Sequence, residues 1–294
     1  MAISPKFATI GLIGPGRMGS ALAESLCLNG QPIHAIAGRS DSCPKTRALA
    51  QRLNAVPMTV QALARDCSLI FIATPDDEIV PLTNAIEWSS GTAVVHLSGA
   101  TDISALQAAS NQQAYVGSFH PLQSISQPIG AATTFKGCTV TIEAPEPTLR
   151  DRLAALALVL GSRVNVLPAH ARMRYHAAAN HASALLIALL ADMVQLWESW
   201  GSSEEEMMKA LLPLMQSTLM AAKENGVASA MTGPLARGDI GTLSGHLKAL
   251  KQIDPALAQR YALHHQPLLS CAPSAERQRI TDLIHAYSPP TTPR

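Results

Sequence analysis

The sequence holds no H-x-x-x-H pair, no carboxylate cluster and no C-x-x-C pair, so no closed metal site is expected. Its five cysteines (Cys27, Cys43, Cys67, Cys138 and Cys271) are scattered and odd in number. They read as free thiols of a reducing compartment, not as a disulfide framework. Charged residues make up only 15% of the chain and the formal charge is +1 with no basic run, which argues against a nucleic-acid or membrane-surface partner. There is no G-x-S-x-G elbow to present a serine nucleophile, and no internal repeat. The chain enters its first strand almost at once, so no secretory leader is expected. Its longest strongly apolar stretch, Ala182 to Met193, is interrupted by Asp192 and is too short for a bilayer. A cytoplasmic location follows as the expectation. What is abundant is apolar residue, 47% of a 294-residue chain, enough for a large core and two domains.

The most informative stretch runs from Ala8 to Leu26. A short apolar run, Ile10 to Ile13, leads into Gly14, Pro15, Gly16, Arg17, Met18 and Gly19, and an Ala/Leu-rich helical pattern follows. This is the dinucleotide-binding fingerprint with a strand before it and a helix after it. Gly14 serves the tight turn, Gly16 the approach of backbone N–H groups to a pyrophosphate, and Gly19 the close packing of helix on strand. The phosphates would lie on the helix N-terminus. The next strand, Pro32 to Ala37, ends in Gly38-Arg39-Ser40-Asp41-Ser42. An acid at this place accepts from the ribose 2′-OH of NAD, whereas Arg with hydroxyls accommodates the 2′-phosphate of NADP. Arg39, with Ser40 and Ser42, favours NADP; Asp41 as a ribose ligand is the competing reading.

Further along, Lys45 to Leu53 reads as a helix and Ala55-Val56-Pro57 as a connection. Continuous apolar strands at Cys67–Thr74 and Thr92–Leu97 suit a parallel sheet buried on both faces. They deliver Thr74 and Pro75, then Ser98 and Gly99, to the carboxyl edge where open α/β sheets bind ligands. Tyr115–Phe119 leads to His120-Pro121-Leu122-Gln123, and strands at Gly137–Glu143 and Arg163–Leu167 flank a helix at Leu149–Leu160. From Ala169 the pattern is helical. Arg172 to Trp197 reads as one long helix, apolar over much of its circumference, that must be buried in its own domain or against another subunit. Helices are also expected at Met207–Lys223, capped by Ser203, and at Asp239–Gln252, Pro255–Leu269 and Ala275–Tyr287. The predicted domains are residues 1–167, 168–288 and a disordered tail, 289–294.

Three polar stretches could carry chemistry. His120, at a strand's carboxyl end, suits proton exchange near neutral pH. His176 and Asn180, four apart on one helix face after Tyr175, form the second. The third is Thr232-Gly233-Pro234-Leu235-Ala236-Arg237-Gly238-Asp239 with His246 beyond it; Arg237 could hold a carboxylate and Asp239 could cap a helix.

Together G-L-I-G-P-G-R-M-G, A-T-P-D-D-E-I, V-H-L-S-G-A, S-F-H-P-L-Q, R-Y-H-A-A-A and M-T-G-P-L-A-R-G-D…H-L-K-A-L resemble the Rossmann-like proteins with a DUF2520 C-terminal domain. These are relatives of the 6-phosphogluconate, pyrroline-5-carboxylate and ketopantoate reductases. The likeness runs from Gly11 to about Leu250. It implies a doubly wound, mostly parallel NADP-binding sheet followed by an all-α domain like the C-terminal part of 6-phosphogluconate dehydrogenase, with a homodimer formed through the C-terminal helices. The resemblance and the polar stretches imply an NADP(H)-dependent oxidoreductase that reduces a small keto or imino acid, ketopantoate-like substrates included. His120 or His176 would supply the proton, Asn180 and Ser98 would align substrate or the cofactor's carboxamide, and Tyr175, Arg237 and Asp239 would line the substrate. Ala184 stands where family members often carry Asn, which puts the usual substrate in question. The rival expectation is a protein that binds NADP as a sensor without turnover.

Overall fold

A computed structural model describes residues 7–40, 43–125, 134–168 and 170–288. The chain divides into two compact units, Met1–Ser183 and Ala184–Arg294. The segment that follows Leu167, up to Ser183, therefore belongs with the first unit, whereas the sequence suggested a boundary after Leu167. The tail 289–294 and Ser42 lie outside the described residues.

The first unit is built on an eight-stranded sheet. Its strands are β1 (Ile10–Ile13), β2 (Ile33–Ala37), β3 (Val56–Pro57), β4 (Leu69–Ile72), β5 (Ala93–His96), β6 (Tyr115–Pro121), β7 (Thr139–Glu143) and β8 (Arg163–Val166). Their spatial order is β3-β2-β1-β4-β5-β6-β7-β8. All neighbours run parallel except β6 and β7, which pair antiparallel with His120 opposite Thr141. Between the strands lie α1 (Arg17–Leu28), α2 (Pro44–Leu53), α3 (Val60–Asp66), α4 (Asp76–Asn84), α5 (Gln107–Asn111) and α6 (Pro147–Val159).

The apolar strands are buried on both faces because their side chains alternate between two cores. Ile10, Leu12, Leu69, Phe71 and Val95 pack with Leu22 and Leu26 of α1, Leu49 of α2 and Leu153 and Leu156 of α6. Ile13, Ile70, Ile72 and Val94 face the other way, onto Leu63 of α3, Ile79 of α4 and Ala109 of α5. Each such side chain contributes roughly 1.5–3 kcal/mol relative to exposure. The result is the doubly wound α/β layer expected. Val56–Pro57, expected as a connection, instead pairs with Ala35 and Ile36 as a two-residue edge strand. Proline is tolerated there because an edge leaves one side of the strand without a partner.

The long helix expected over Arg172–Trp197 is interrupted. It forms α7 (Arg172–His181) and α8 (Ala184–Glu198) with a turn at residues 182 and 183. The Ser183 hydroxyl donates to the Ala179 carbonyl at 3.0 Å, and the Ser183 N–H donates to the Asn180 carbonyl at 3.2 Å. A side chain bonding back and a tightened three-residue turn compete with continuation of the helix. Among the described residues, Arg172–Glu198 is the stretch apolar and long enough to be weighed as a membrane span. The turn removes that reading, since the 15 residues of α8 cover only about 22 Å at 1.5 Å each, short of a hydrocarbon layer of about 30 Å.

Among its described residues, the regular elements of the second unit are all helices. It comprises α8, α9 (Glu204–Asn225), α10 (Pro234–Arg237), α11 (Ile240–Ile253), α12 (Pro255–His265), a 3₁₀ segment (Gln266–Cys271) and α13 (Arg277–Tyr287). The helix expected over Pro255–Leu269 thus ends at His265, where Pro267 removes a backbone donor and the turn tightens. Ser203 caps α9 and exchanges bonds with Glu206 in a capping box, as its acid-rich first turn suggested. Leu235, Leu243, Leu247, Leu257, Ile280 and Ile284 make the core of the α10–α13 cluster. By contrast α8 has no buried residue, and α9 buries only Met207.

Candidate active site

The glycine-rich turn has the shape its sequence implied. Gly14 takes φ +94°, and a Cβ there would stand 2.8 Å from the backbone of Ala73. A Cβ on Gly19 would stand 2.3 Å from the Gly14 carbonyl oxygen, so α1 lies on the turn as only glycine permits. Gly16 differs from both. It is extended, and the nearest atom to a Cβ there, the Ala73 carbonyl oxygen, is 3.9 Å away. No neighbouring atom inside the protein requires glycine at that position. Gly16 offers α1 no side-chain cap, and the first turn carries no acid, so its N–H groups are open to an anion. Two residues beyond β4, Thr74 has a buried hydroxyl with no partner. Arg39 and Ser40 follow β2 and are exposed. These residues fit a dinucleotide: a clear cradle, a free helix end, an orphaned hydroxyl and a cation.

Farther along the same edge the structure gathers Ser98, Gly99, His120, Tyr175 and His176. Ser98 follows β5, and its hydroxyl donates to Asp76 Oδ2 at 2.7 Å and accepts from the Thr101 N–H at 2.9 Å. His120 lies near the end of β6 with Nδ1 2.7 Å from the Tyr175 hydroxyl. The rings of His120 and His176 are 6.3 Å apart and inclined edge to face. Gly99 sits between them: a Cβ there would be 2.7 Å from His120 Nε2 and 2.7 Å from His176 Cδ2. Beside this cluster opens a cleft of ≈ 650 Å³ lined by His120, Gln123, Tyr175, His176 and Asn180, among others.

The electrostatics of the cluster favour neutral rings. Burial, reinforced by the neighbouring His176 ring and the Arg172 guanidinium, pushes the His120 imidazole down to about 4 against the pull of Asp76. His96, the last residue of β5, is fully buried with neither ring nitrogen partnered. Its imidazole too is held down at about 4 by burial first and Arg172 second. Burial raises the Tyr175 phenol above its ordinary range. At pH 7, then, Tyr175 keeps its proton and the His120 ring is neutral.

Of the residues singled out from sequence, the first unit brings together Ser98, Gly99, His120, Tyr175, His176 and Asn180, with the Gly14–Gly19 turn, Thr74 and Pro75 on the same sheet edge. Arg237 and Asp239 belong to the second unit. There Asp239 caps α11, accepting from the Thr242 N–H at 3.0 Å, while Arg237 is exposed. Two residues were not anticipated. Arg172 is 3% exposed and bonds Glu143, Ser118 and the Ser98 carbonyl. His96 lies in the V-H-L-S-G-A motif but looked like part of an apolar strand. Arg172 had no local signal, because every partner it has is distant in sequence.

Residues 2–121 match the family model of a Rossmann-like domain, and residues 138–266 match DUF2520, described as a domain of unknown function. The chain therefore joins a Rossmann-like domain to a DUF2520 domain. Among solved structures it is similar to a candidate NADP oxidoreductase of Bacteroides fragilis, with 25% identity, 90% of this chain and 98% of that one covered, and a TM-score of 0.71. A Thermotoga maritima protein matches at 20% identity over 95% of this chain and 99% of its own, with a TM-score of 0.69. A reductive aminase of Aspergillus terreus, solved with NADPH and ethyl-5-oxohexanoate, matches at 18% identity, 95% and 93% coverage and a TM-score of 0.64. The last two likenesses are of fold alone. No curated protein matches the chain.

Proposed function

We propose that the protein is an NADP(H)-dependent oxidoreductase that reduces a small keto or imino acid, with ketopantoate-like compounds among the candidates. The observation that carries this reading is the Gly99 contact. Two imidazoles, one of them bonded to a phenol, converge on a glycine at the sheet edge that also bears an uncapped, acid-free helix N-terminus. A binding protein needs the second feature but has no use for the first. The similar solved structures described as a candidate NADP oxidoreductase and as a reductive aminase in complex with NADPH support the cofactor class.

Backbone N–H groups of Arg17 and Met18 would hold the pyrophosphate, Arg39 and Ser40 the 2′-phosphate, and Thr74, Pro75 and Ser98 the remainder. Ser42 joins this set by sequence position only. When bound, the reduced nicotinamide supplies hydride. The chain's own contribution is the proton. A neutral His120 acts through Nδ1–H, donating to the Tyr175 oxygen, so that Tyr175 offers its own proton to the cleft and His120 stabilises the phenolate left behind. His176 and Asn180 orient the acceptor atom. A homodimer through the C-terminal helices and a cytoplasmic location belong to the same proposal. They are supported by the bare faces of α8 and α9 and by cysteines that are all free among the described residues.

The test is fluorescence titration with NADPH and NADH, followed by a panel of 2-keto acids and cyclic imines that includes ketopantoate. Binding of NADPH over NADH with oxidation by a panel member is the expected result. Tight binding with no turnover by any carbonyl or imine would point to a sensor, and no binding of either cofactor would remove the proposal altogether.

A further inference from the structure

Arg172 opens α7, and its guanidinium is buried among three neighbouring strands. Nε donates to Glu143 Oε2 at 3.0 Å and Nη2 to the same oxygen at 2.5 Å. Nη1 donates to the Ser98 carbonyl at 3.2 Å, and Nη2 also bonds the Ser118 hydroxyl. Glu143 ends β7, Ser118 lies within β6 opposite it, and Ser98 follows β5. A buried ion pair adds little net stability, because desolvating both partners offsets their attraction. What so many directed bonds do provide is geometry. Tyr175 and His176 lie three and four residues beyond Arg172, on the same helix face. The Ser98 carbonyl that Arg172 holds immediately precedes Gly99, which is in contact range of both imidazoles. One guanidinium therefore grips both walls of the cluster: the helix that carries the phenol and one imidazole, and the loop against which the two imidazoles rest.

We propose that Arg172 is the positioning residue of this site, setting the separation between Tyr175 and His176 on α7 and Gly99 and His120 on the sheet edge. The catalytic consequence rests on the reductase reading above; the geometric one does not. Other groups also face His120. Tyr175 and His176 come from α7, Asp76 from α4 and His96 from β5, while Glu143 of β7 is engaged through Arg172 itself. Any change in His120 on altering Arg172 must therefore be separated from a plain loss of charge.

Arg172→Lys makes that separation, since it keeps the charge and loses the fork. In the full-length protein, histidine ring resonances are titrated by NMR for wild type, Arg172→Lys, Arg172→Met and Glu143→Gln. NADPH affinity is read by fluorescence, and kcat and KM are measured with whichever panel substrate is turned over. Positioning predicts that Arg172→Lys raises the His120 midpoint by about one pH unit or more as the ring loses its place. It also predicts a fall in kcat of about 100-fold, the scale of an ångström-level misplacement, with NADPH affinity within about twofold of wild type. Glu143→Gln should fall between the two, and it carries the test if both Arg172 variants fail to fold. A folded Arg172→Lys with wild-type His120 titration and kcat overturns the proposal, as does a Glu143→Gln variant indistinguishable from wild type when it alone folds. Absence of any turnover in the wild type would count against the reductase reading and leave the titrations to decide on Arg172.

Discussion

Gly99 and Tyr175 place the chemistry within reach of single substitutions. A Cβ at residue 99 would meet two imidazole rings at 2.7 Å, closer than carbon atoms tolerate. Gly99→Ala must therefore push apart His120 and His176 while leaving the cores on either side of the sheet intact. Turnover should drop by about 100-fold, with thermal stability nearly unchanged; wild-type kcat in a folded Gly99→Ala protein would break the link between that contact and catalysis. Tyr175→Phe removes the hydroxyl at 2.7 Å from His120 and should cost about 10²–10⁴-fold, the usual contribution of a positioned proton donor. His96 makes a separate prediction about stability. Its folded value of about 4 lies below the ordinary value near 6.5, so between those two pH values the unfolded chain binds more protons than the folded one. The stability it supports is complete above about pH 6.5 and is lost as pH falls through about 4, on the order of 3 kcal/mol in all. In His96→Leu the urea midpoint should fall less steeply from pH 7 to pH 4 than in wild type. An identical acid slope in the two proteins would mean that His96 is not held neutral.

The turn between β1 and α1 separates a glycine required by the fold from one required by a ligand. Gly19→Ala places a Cβ 2.3 Å from the Gly14 carbonyl oxygen, an overpacking that costs about 1–3 kcal/mol or more. Gly16→Ala meets nothing nearer than 3.9 Å, so its melting temperature should match wild type while NADPH affinity falls tenfold or more. Equal affinity in Gly16→Ala would show that no ligand approaches that backbone. Elements with a strong local signal were legible in the sequence. The glycine turn and the strands β1, β4 and β5 were, because burial on both faces writes a continuous apolar run. Elements decided by distant partners were not. Val56–Pro57 becomes a strand only because β2 lies beside it, and the reversal of β7 leaves no mark on residue periodicity. The interruption at Ala182–Ser183 hinges on one hydroxyl turning back to Ala179, a choice that helical periodicity does not encode. The site shows the same division. His120, Tyr175 and His176 stand in polar stretches that local reading finds, whereas Arg172 earns its place from Glu143, Ser118 and Ser98, residues 29 to 74 positions away.

At the scale of the molecule, the second unit is two regions of opposite character. Its α10–α13 cluster closes on its own core, but α8 buries nothing and α9 buries one residue of 22. Ile187 is 64% exposed, and Leu214 and Leu219 are 61% and 66% exposed. Apolar residues this dense on two adjacent helices exceed what a monomer's surface usually carries. Burying them in a symmetric pairing of two chains is the simplest way to remove them from water, since an isologous contact closes on itself and leaves no second sticky face. The wild-type protein is therefore expected to sediment as a dimer at micromolar concentration. Leu214→Lys with Leu219→Lys should shift it to a monomer whose circular dichroism retains the α/β signature. That monomer should still bind NADPH through the Gly14–Gly19 turn with nearly wild-type affinity. A monomeric wild type would leave α8 and α9 without a cover, and a monomeric variant of full activity would confine the working site to one chain.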